Sequence, residues 1–268
     1  MTELACLDGQ IAPSEETFVP ATDEGLLRGD GVFEVIRVYD GVPFALDAHL
    51  ARIENSAANL RLPLPATEVL HDDAHALLTQ RGESFDGIIR IVITRGGRRL
   101  LMTEPLPAQS GADSITLGVV TYSPTRVLDG IKSLSYGGNM LASRLAREQG
   151  FDEALLVTPH GRVLEAPTSS LFWVDASGTV CTPPLDEHIL ASITRDRVLR
   201  LLDVEERPAT LDDVYAGSEA FLASTTREVQ AVSAIADHEF GGAPGETTRE
   251  AAQALRRHIE EELQAVRA

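Results

Sequence analysis

The sequence predicts an α+β (mixed α/β) protein of two domains. Three observations support this: 268 residues with 43% apolar side chains, strand-like alternation that gives way to helical periods in the first half, and strands alternating with helices in the second. A chain of this length can form one or two domains with a substantial core. Turn-forming residues interrupt the pattern over 120–128. We therefore expect a small N-terminal domain over 1–119, a linker over 120–128 and a larger C-terminal domain over 129–268.

The first half begins with a predicted hairpin. Residues 33–39 alternate, Asp40-Gly41 is a turn signal, and residues 42–46 supply the return strand. Apolar residues then recur every three to four positions from Asp47, which predicts an amphipathic helix with Asp47 as its N-cap. The other predicted elements of this half are a helix over 67–80, a strand over 87–94, a loop over 98–113 and a strand over 115–120.

The second half alternates between short strands and helices. Its predicted helices cover 140–149 and 196–202, and its predicted strands cover 154–157, 171–174, 179–182 and 220–223. Thr247 and Glu250 have the spacing of a capping box, and apolar residues follow at helical spacing. The sequence therefore predicts a C-terminal helix that opens at Thr247.

The charge balance excludes several classes of partner. The chain has 23 basic and 41 acidic residues, a formal net charge of −18. Such a chain has no general attraction to nucleic acid or to an anionic membrane. No apolar run approaches the ~20 residues of a membrane span, and the N-terminus lacks the pattern of a secretory signal. Cys6 and Cys181 do not have the spacing of a metal site or the density of a disulfide scaffold, so we expect a cytoplasmic protein without a metal.

Lys132 is the single lysine in a chain with 22 arginines. Lysine can lose its proton and act as an amine nucleophile, whereas arginine cannot. Composition alone favours chance retention of a surface lysine, so the surrounding residues have to decide between chance and chemistry.

The surroundings of Lys132 form part of an ordered set of motifs. These are residues 28–34 (RGDGVFE), 130–142 (GIKSLSYGGNMLA), 153–157 (EALLV), 161–172 (GRVLEAPTSSLF) and 224–229 (STTREV). Their order resembles the fold-type IV (class IV) pyridoxal-phosphate aminotransferases, a family with D-amino acid, branched-chain and R-selective amine transaminases and 4-amino-4-deoxychorismate lyases. The resemblance implies a fold-type IV architecture of two domains, with the catalytic lysine in the larger one. It also implies a homodimer with active sites at the interface.

The resemblance implies pyridoxal 5′-phosphate as the cofactor and assigns residues to it. Lys132 would form a Schiff base with the cofactor aldehyde, and its released amine would shuttle the substrate's α-proton. Glu165 matches the glutamate that keeps the pyridine nitrogen protonated, which makes the ring an electron sink. Tyr136 would bond the cofactor's phenolic oxygen. Without the resemblance, Lys132 would be a stray surface lysine and Glu165 a solvated strand end.

The cofactor phosphate requires local donors against an acidic background. Arg52 matches the family's phosphate-binding arginine, and forked arginine suits phosphate. Ile193 and Thr194 precede a predicted helix, whose free N–H groups favour an anion. Ser224 and Thr225 end a predicted strand in a hydroxyl-rich turn that the family also uses for phosphate. The alternatives are a surface helix arginine, an N-cap threonine and an ordinary loop.

A substrate carboxylate needs a cation. Arg90 interrupts an apolar strand, where its charge requires an anion; the alternatives are a structural carboxylate such as Glu34 and the substrate itself. Arg28 is the second predicted carboxylate ligand, contributed by the other subunit, and Phe33 is a predicted substrate contact. Residues 94–101 lack the histidine of the best-known D-amino acid enzymes, so we expect Arg28 and Arg90 to replace that carboxylate trap.

We expect a homodimeric transaminase with a ping-pong reaction, in which a D-amino acid leaves its amine on the cofactor and 2-oxoglutarate or pyruvate collects it. The short chain resembles the D-amino acid and lyase branches more than the longer branched-chain enzymes. A 4-amino-4-deoxychorismate lyase, which eliminates pyruvate and yields 4-aminobenzoate, is the nearest alternative. Branched-chain and R-selective amine transaminases are further alternatives, and a binding protein without the cofactor would be colourless.

Overall fold

The computed structural model describes residues 2–107 and 113–267, which divide into two compact units. The first unit contains the described residues of Met1–Ala108, Gly130–Tyr136 and Ile259–Ala268, and the second those of Gln109–Asp129 and Gly137–His258. Each unit is built around its own sheet. No helix within the described ranges is both long and apolar enough to cross a membrane.

The first unit is built on a six-stranded antiparallel sheet with the strand order β2-β1-β6-β5-β3-β4. Its elements are β1 Leu4–Leu7, β2 Gln10–Pro13, α1 Glu24–Arg28, β3 Gly31–Tyr39, β4 Val42–Pro43, α2 Leu46–Leu60, α3 Thr67–Arg81, β5 Gly87–Thr94 and β6 Arg99–Glu104. The apolar residues of β3, β5, α2 and α3 form its core. The sheet, with α2 packed on it, fixes the position of the residues described below.

The hairpin turn of β3 and β4 shows why the sequence requires its turn residues. Asp40 and Gly41 have φ values of 46° and 77°, in the left-handed region that such two-residue turns require. A Cβ atom at Gly41 would also lie 2.9 Å from the Cα atom of Glu83. The predicted hairpin is therefore confirmed, but its return strand covers only Val42–Pro43 of the predicted 42–46, because α2 begins at Leu46.

The second unit is built on a mixed eight-stranded sheet with the order β11-β10-β9-β12-β13-β7-β8, and β14 pairs with β13. Its elements are β7 Ser114–Thr121, α4 Gly137–Glu148, β8 Glu153–Val157, β9 Ser170–Val174, β10 Val180–Thr182, α5 Ile193–Leu201, β11 Val204–Glu206, α6 Leu211–Tyr215, β12 Glu219–Ser224, β13 Glu228–Ile235, β14 His238–Glu239 and α7 Glu246–Arg267. Strand β7 pairs in parallel with β8 and β13. Buried side chains cover the sheet in three apolar clusters.

The structure corrects the predicted domain boundaries in two places. Strand β7, predicted within residues 1–119, belongs to the second unit because it hydrogen-bonds along its length to β8 and β13. Gly130–Tyr136, predicted within residues 129–268, belongs to the first unit because its backbone bonds to β3. The lysine therefore lies in the smaller N-terminal part of the fold.

Four local predictions differ from the structure. The predicted loop over 98–113 contains β6, and the part over 108–112 lies outside the described residues. The sequence also did not predict β13. Asp47 lies in the first turn of α2, which begins after Ala45 in a left-handed conformation, so Asp47 is not the N-cap. The start of α7 is capped from outside, because Glu219 accepts the Thr247 and Thr248 N–H groups at 3.1 and 2.9 Å.

Candidate active site

Lys132 is held through its backbone at the edge of β3. The Phe33 N–H donates to the Lys132 carbonyl at 3.0 Å, and the Leu134 N–H donates to the Gly31 carbonyl at 2.9 Å. On the other side, the Lys132 N–H donates to the Ser56 hydroxyl of α2 at 3.1 Å. The segment thus continues the sheet beyond β3 and fixes the origin of the lysine side chain.

The amine of Lys132 lies over two aromatic rings. Its Nζ atom is 4.4 Å from the centre of the Phe33 ring and 5.9 Å from that of Tyr136. The two rings meet edge to face with their centres 5.3 Å apart. A ring face attracts a cation. Phe33 and Tyr136, two predicted site residues, are therefore brought together with the lysine.

Arg52, the predicted phosphate ligand, is fixed by a buried carboxylate. Its Nε and Nη2 atoms donate to Oε1 and Oε2 of Glu34, each at 2.7 Å, and the Glu34 side chain has no exposed surface. His49 Nδ1 lies 2.7 Å from Glu34 Oε2. Burial raises the pKa of Glu34, but the charge and hydrogen bonds of Arg52 and the contact with His49 outweigh it and lower the pKa to about 2. The carboxylate is therefore ionised and orients Arg52 through both of its oxygens.

His49 acts as a neutral donor in this cluster. Burial lowers its pKa, and the positive charges of Arg52 and Lys132 lower it further, against the opposing effect of Glu34. An ionised carboxylate can only accept, so the Nδ1 atom of the neutral ring carries the proton. Sequence reasoning missed both Glu34 and His49 as site residues. The signals were an acidic residue inside an apolar strand, and a histidine three residues before Arg52 on one helix face.

The two predicted carboxylate ligands have different surroundings. Arg90 donates from Nε and Nη2 to the two oxygens of Glu104 on β6, at 2.5 and 2.9 Å, so the structural partner is Glu104 and not Glu34. Arg28 is 74% exposed at its side chain and pairs with Glu24 one helical turn earlier at 3.2 Å. The charge of Arg90 in its strand is therefore explained by a protein carboxylate.

Glu165 lies in the connection between β8 and β9 of the second unit. The Leu190 N–H donates to its Oε1 atom at 3.1 Å, and its carbonyl accepts from the Leu156 N–H at 2.9 Å. Both bonds fix the backbone and one carboxylate oxygen. Glu165 is thus half-buried and held in one orientation.

The first turn of α5 contains Ile193 and Thr194, whereas the sequence predicted that they precede a helix over 196–202. Ser192 caps this helix, because its hydroxyl accepts from the Arg195 N–H at 3.3 Å. The backbone N–H groups of Ile193 and Thr194 point along the start of the helix, where an anion is favoured. Thr194 itself is buried.

The end of β12 carries donors that lack a protein acceptor. The buried hydroxyls of Ser224 and Ser169 make no hydrogen bond within the described part of the chain. The register that pairs Ala223 with Ser170 brings Ser224 and Ser169 to the same end of neighbouring strands β12 and β9. Buried donors are almost always paired, so this end of the sheet fits an oxyanion such as a phosphate. Thr225 follows directly and is half-buried.

Comparisons with known proteins agree with this chemistry. Residues 31–235 match the family described as amino-transferase class IV. The chain is 35% identical over 250 residues to a putative branched-chain-amino-acid aminotransferase of Methanocaldococcus jannaschii, covering 85% of this chain and 86% of the relative. It is 33% identical over 272 residues to the D-alanine aminotransferase of Bacillus licheniformis, covering 94% and 95%.

Solved structures show the same fold. A fold IV-transaminase from Curtobacterium pusillum superimposes with a TM-score of 0.84 at 28% identity, covering 94% of this chain and 98% of that one. The α+β, fold-type IV prediction is therefore confirmed.

Proposed function

Because the chain belongs to the class IV aminotransferase family, we propose that it transfers the amino group of a D-amino acid to 2-oxoglutarate or pyruvate. Members of the family use pyridoxal 5′-phosphate, and so does this chain. The observation that carries the proposal is Lys132, the only lysine of the chain, whose carbonyl and N–H are bonded to Phe33 and to the Ser56 hydroxyl in the unit that holds the buried Glu34–Arg52 pair.

Each residue of the first unit has one task in the proposed reaction. The bound cofactor supplies the electron sink for charge that develops at the substrate's α-carbon. Lys132 would hold the cofactor through Nζ and would supply the base for the proton at the substrate's α-carbon. Arg52 would bind the phosphate, with its guanidinium kept in one orientation by Glu34. Tyr136 would bond the phenolic oxygen, and Phe33 would border the amine and the substrate.

The second unit supplies the remaining proposed contacts. Glu165 would keep the pyridine nitrogen protonated, since a carboxylate favours the charged form of a neighbouring base. The N–H groups of Ile193 and Thr194 and the side chains of Ser224 and Thr225 would bind the phosphate. The two unpartnered serine hydroxyls described above support this assignment.

Proposed recognition of the substrate carboxylate depends on Arg28 and Arg90. Arg28 is exposed and its surface pair with Glu24 is weak, so it can turn to a ligand at little cost. Arg90 must share its charge with Glu104, and a substrate carboxylate would compete with that pair. Arg28 is therefore the primary contact in this proposal.

We also propose a homodimer. The side chains of Phe18, Leu26 and Leu27 are 77%, 66% and 60% exposed, and the two leucines belong to α1 together with Arg28. Large apolar residues that are this exposed favour an interface. Replacing Leu26 and Leu27 with serine should shift the protein from dimer to monomer in analytical ultracentrifugation. A wild-type monomer would contradict the proposal.

A branched-chain substrate is the second candidate, because the match to the Methanocaldococcus jannaschii protein has slightly higher identity than the match to the D-alanine enzyme. The D-alanine match covers more of both chains, which favours D-amino acids. A donor screen with the cofactor-loaded enzyme and 2-oxoglutarate separates them. Glutamate should form with D-alanine, whereas glutamate formed only with L-leucine, L-valine or L-isoleucine would contradict the proposal. Pyruvate and 4-aminobenzoate released from aminodeoxychorismate would indicate the lyase instead.

A further inference from the structure

Tyr122 lies where three segments around Glu165 come together. It follows β7 directly, and its ring packs against the apolar cluster that contains Leu164 and Ile189. Leu164 precedes Glu165 in the chain, and Ile189 precedes Leu190, whose N–H donates to the Glu165 carboxylate. The ring of Tyr122 therefore packs on a cluster to which both of these segments contribute a residue.

The hydroxyl of Tyr122 extends this support through a second side chain. It donates to Asn139 Oδ1 at 3.2 Å, and Asn139 Nδ2 donates to the Pro167 carbonyl at 3.0 Å. Asn139 lies in the first turn of α4, and Pro167 comes two residues after Glu165. A relay of two hydrogen bonds thus links the end of β7, the start of α4 and the turn that follows Glu165.

The surroundings of Tyr122 keep the relay in one protonation state. Burial raises the pKa of the Tyr122 hydroxyl, and the negative charge of Glu165 raises it further. The hydroxyl therefore stays protonated and donates at neutral pH. Since Asn139 is uncharged, no link in the relay titrates near neutrality.

We propose that Tyr122 and Asn139 are positioning residues for Glu165, and that their hydrogen bonds hold its carboxylate where it controls the protonation of the cofactor ring. The inference rests on the proposed role of Glu165. A fixed carboxylate stabilises a ring charge more than a mobile one, because catalytic groups must keep their geometry within a fraction of an ångström. The last acceptor of the relay belongs to the turn after Glu165.

The test compares Tyr122→Phe with Tyr215→Phe. Both remove one hydroxyl from a partly buried tyrosine of the second unit, but Tyr215 lies on α6 and stacks on His238, away from the relay. Two readouts need no turnover: the pH at which the absorbance of the bound cofactor changes, and the rate at which the cofactor dissociates. A lost hydrogen bond corresponds to about fivefold in an equilibrium.

We expect Tyr122→Phe to move the pH midpoint and to speed cofactor release about fivefold, with Tyr215→Phe like wild type in both. Asn139→Ala should have the same effect, and adding Tyr122→Phe to it should change little further, as for residues acting in series. A Tyr122→Phe variant that only melts at a lower temperature, with an unchanged midpoint, would overturn the inference.

The Glu165→Gln variant separates this failure from failure of the proposed function. If Glu165→Gln shifts the midpoint and Tyr122→Phe does not, the positioning role is wrong and the role of Glu165 stands. If Glu165→Gln has the absorbance and pH midpoint of wild type, the proposed role of Glu165 is wrong and the inference falls with it.

Discussion

The two units hold their polar site residues in opposite ways. In the first unit, Glu34, His49 and Arg52 pair with one another inside the fold, so the cationic group is fixed before any ligand arrives. In the second unit, Ser169 and Ser224 are buried without an acceptor among the described residues. The comparison teaches that the polar residues of the first unit are satisfied by one another, whereas the second unit leaves two buried hydroxyls available to a ligand.

The largest expected effect comes from breaking the buried pair. Glu34→Gln leaves the guanidinium of Arg52 with no compensating charge, which should lower the free energy of unfolding by about 3 kcal/mol. The matched control is Glu104→Gln, which breaks another bidentate pair whose side chains are about a third exposed. That variant should lose under about 1 kcal/mol. Urea denaturation measures both, and equal losses would show that the Glu34 pair is not specially buried.

The pH dependence of stability should report the same cluster. Because the pKa of Glu34 is lowered from 4.5 to about 2, its stabilisation is present above pH 4.5 and is lost as the pH falls through about 2. The lowered pKa of His49 adds to this, since the unfolded chain takes up a proton below about pH 6.5 that the buried ring resists. Urea unfolding at pH 7, 5 and 3.5 should therefore show falling stability. Glu34→Gln should flatten the acid part of the curve, and an unchanged slope would contradict the assignment.

The side chains of the Arg90–Glu104 pair are about a third exposed, so the pair is neither fully buried nor fully solvated. It provides a test of substrate binding. If Arg28 and Arg90 bind the substrate carboxylate, Arg28→Leu and Arg90→Leu should each raise KM for amino acids about tenfold, the loss of one charge-assisted bond. An amine substrate without a carboxylate should be unaffected. Steady-state kinetics with both substrate types measures this, and equal losses for both would leave Arg90 a purely structural residue.

The smallest expected effect is on the two unpaired serine hydroxyls, whose removal should not destabilise the cofactor-free protein. Ser224→Ala and Ser169→Ala remove unpaired buried hydroxyls, so the melting temperature of the cofactor-free protein should stay the same or rise, while the Kd of the cofactor rises about fivefold. Thr182→Val is the control, because the Thr182 hydroxyl donates to the Leu171 carbonyl at 2.7 Å. That variant should lose stability and keep its cofactor affinity. Destabilised serine variants would show that these hydroxyls have partners.

Much of the local structure could be predicted because the patterns are regular. The hairpin after Tyr39 and the strand Gly87–Thr94 follow from alternation and turn chemistry alone. Strand β6 could not be predicted, since its short Arg99–Glu104 sequence begins and ends in charges. Because β6 was not predicted, the partner of Arg90 was not predicted either. Glu104 lies diagonally across from Arg90 and comes within reach only because Arg90 pairs with Met102.

The site residues also divide into those that a local pattern indicates and those that depend on a distant partner. Motif order could indicate Lys132 and Arg52, but the pairing of Arg52 with Glu34 depends on how α2 packs on β3. The cap of α7 was wrong for a similar reason, although its start was predicted to within one residue. The spacing of Thr247 and Glu250 indicated a local cap, whereas Glu219 of β12 satisfies those N–H groups from a distant part of the chain. Long-range partners of polar groups leave no pattern in a single sequence.

The central claim is that Lys132 holds the cofactor, and chemical reduction tests it most directly. Lys132 and the N-terminus are the only aliphatic amines of the chain. After borohydride treatment of active enzyme, trypsin should no longer cleave at Lys132, and mass spectrometry should find the pyridoxyl mass on peptide 127–144. The account would be contradicted if enzyme that was active before treatment still yielded the unmodified peptide 133–144 after complete reduction.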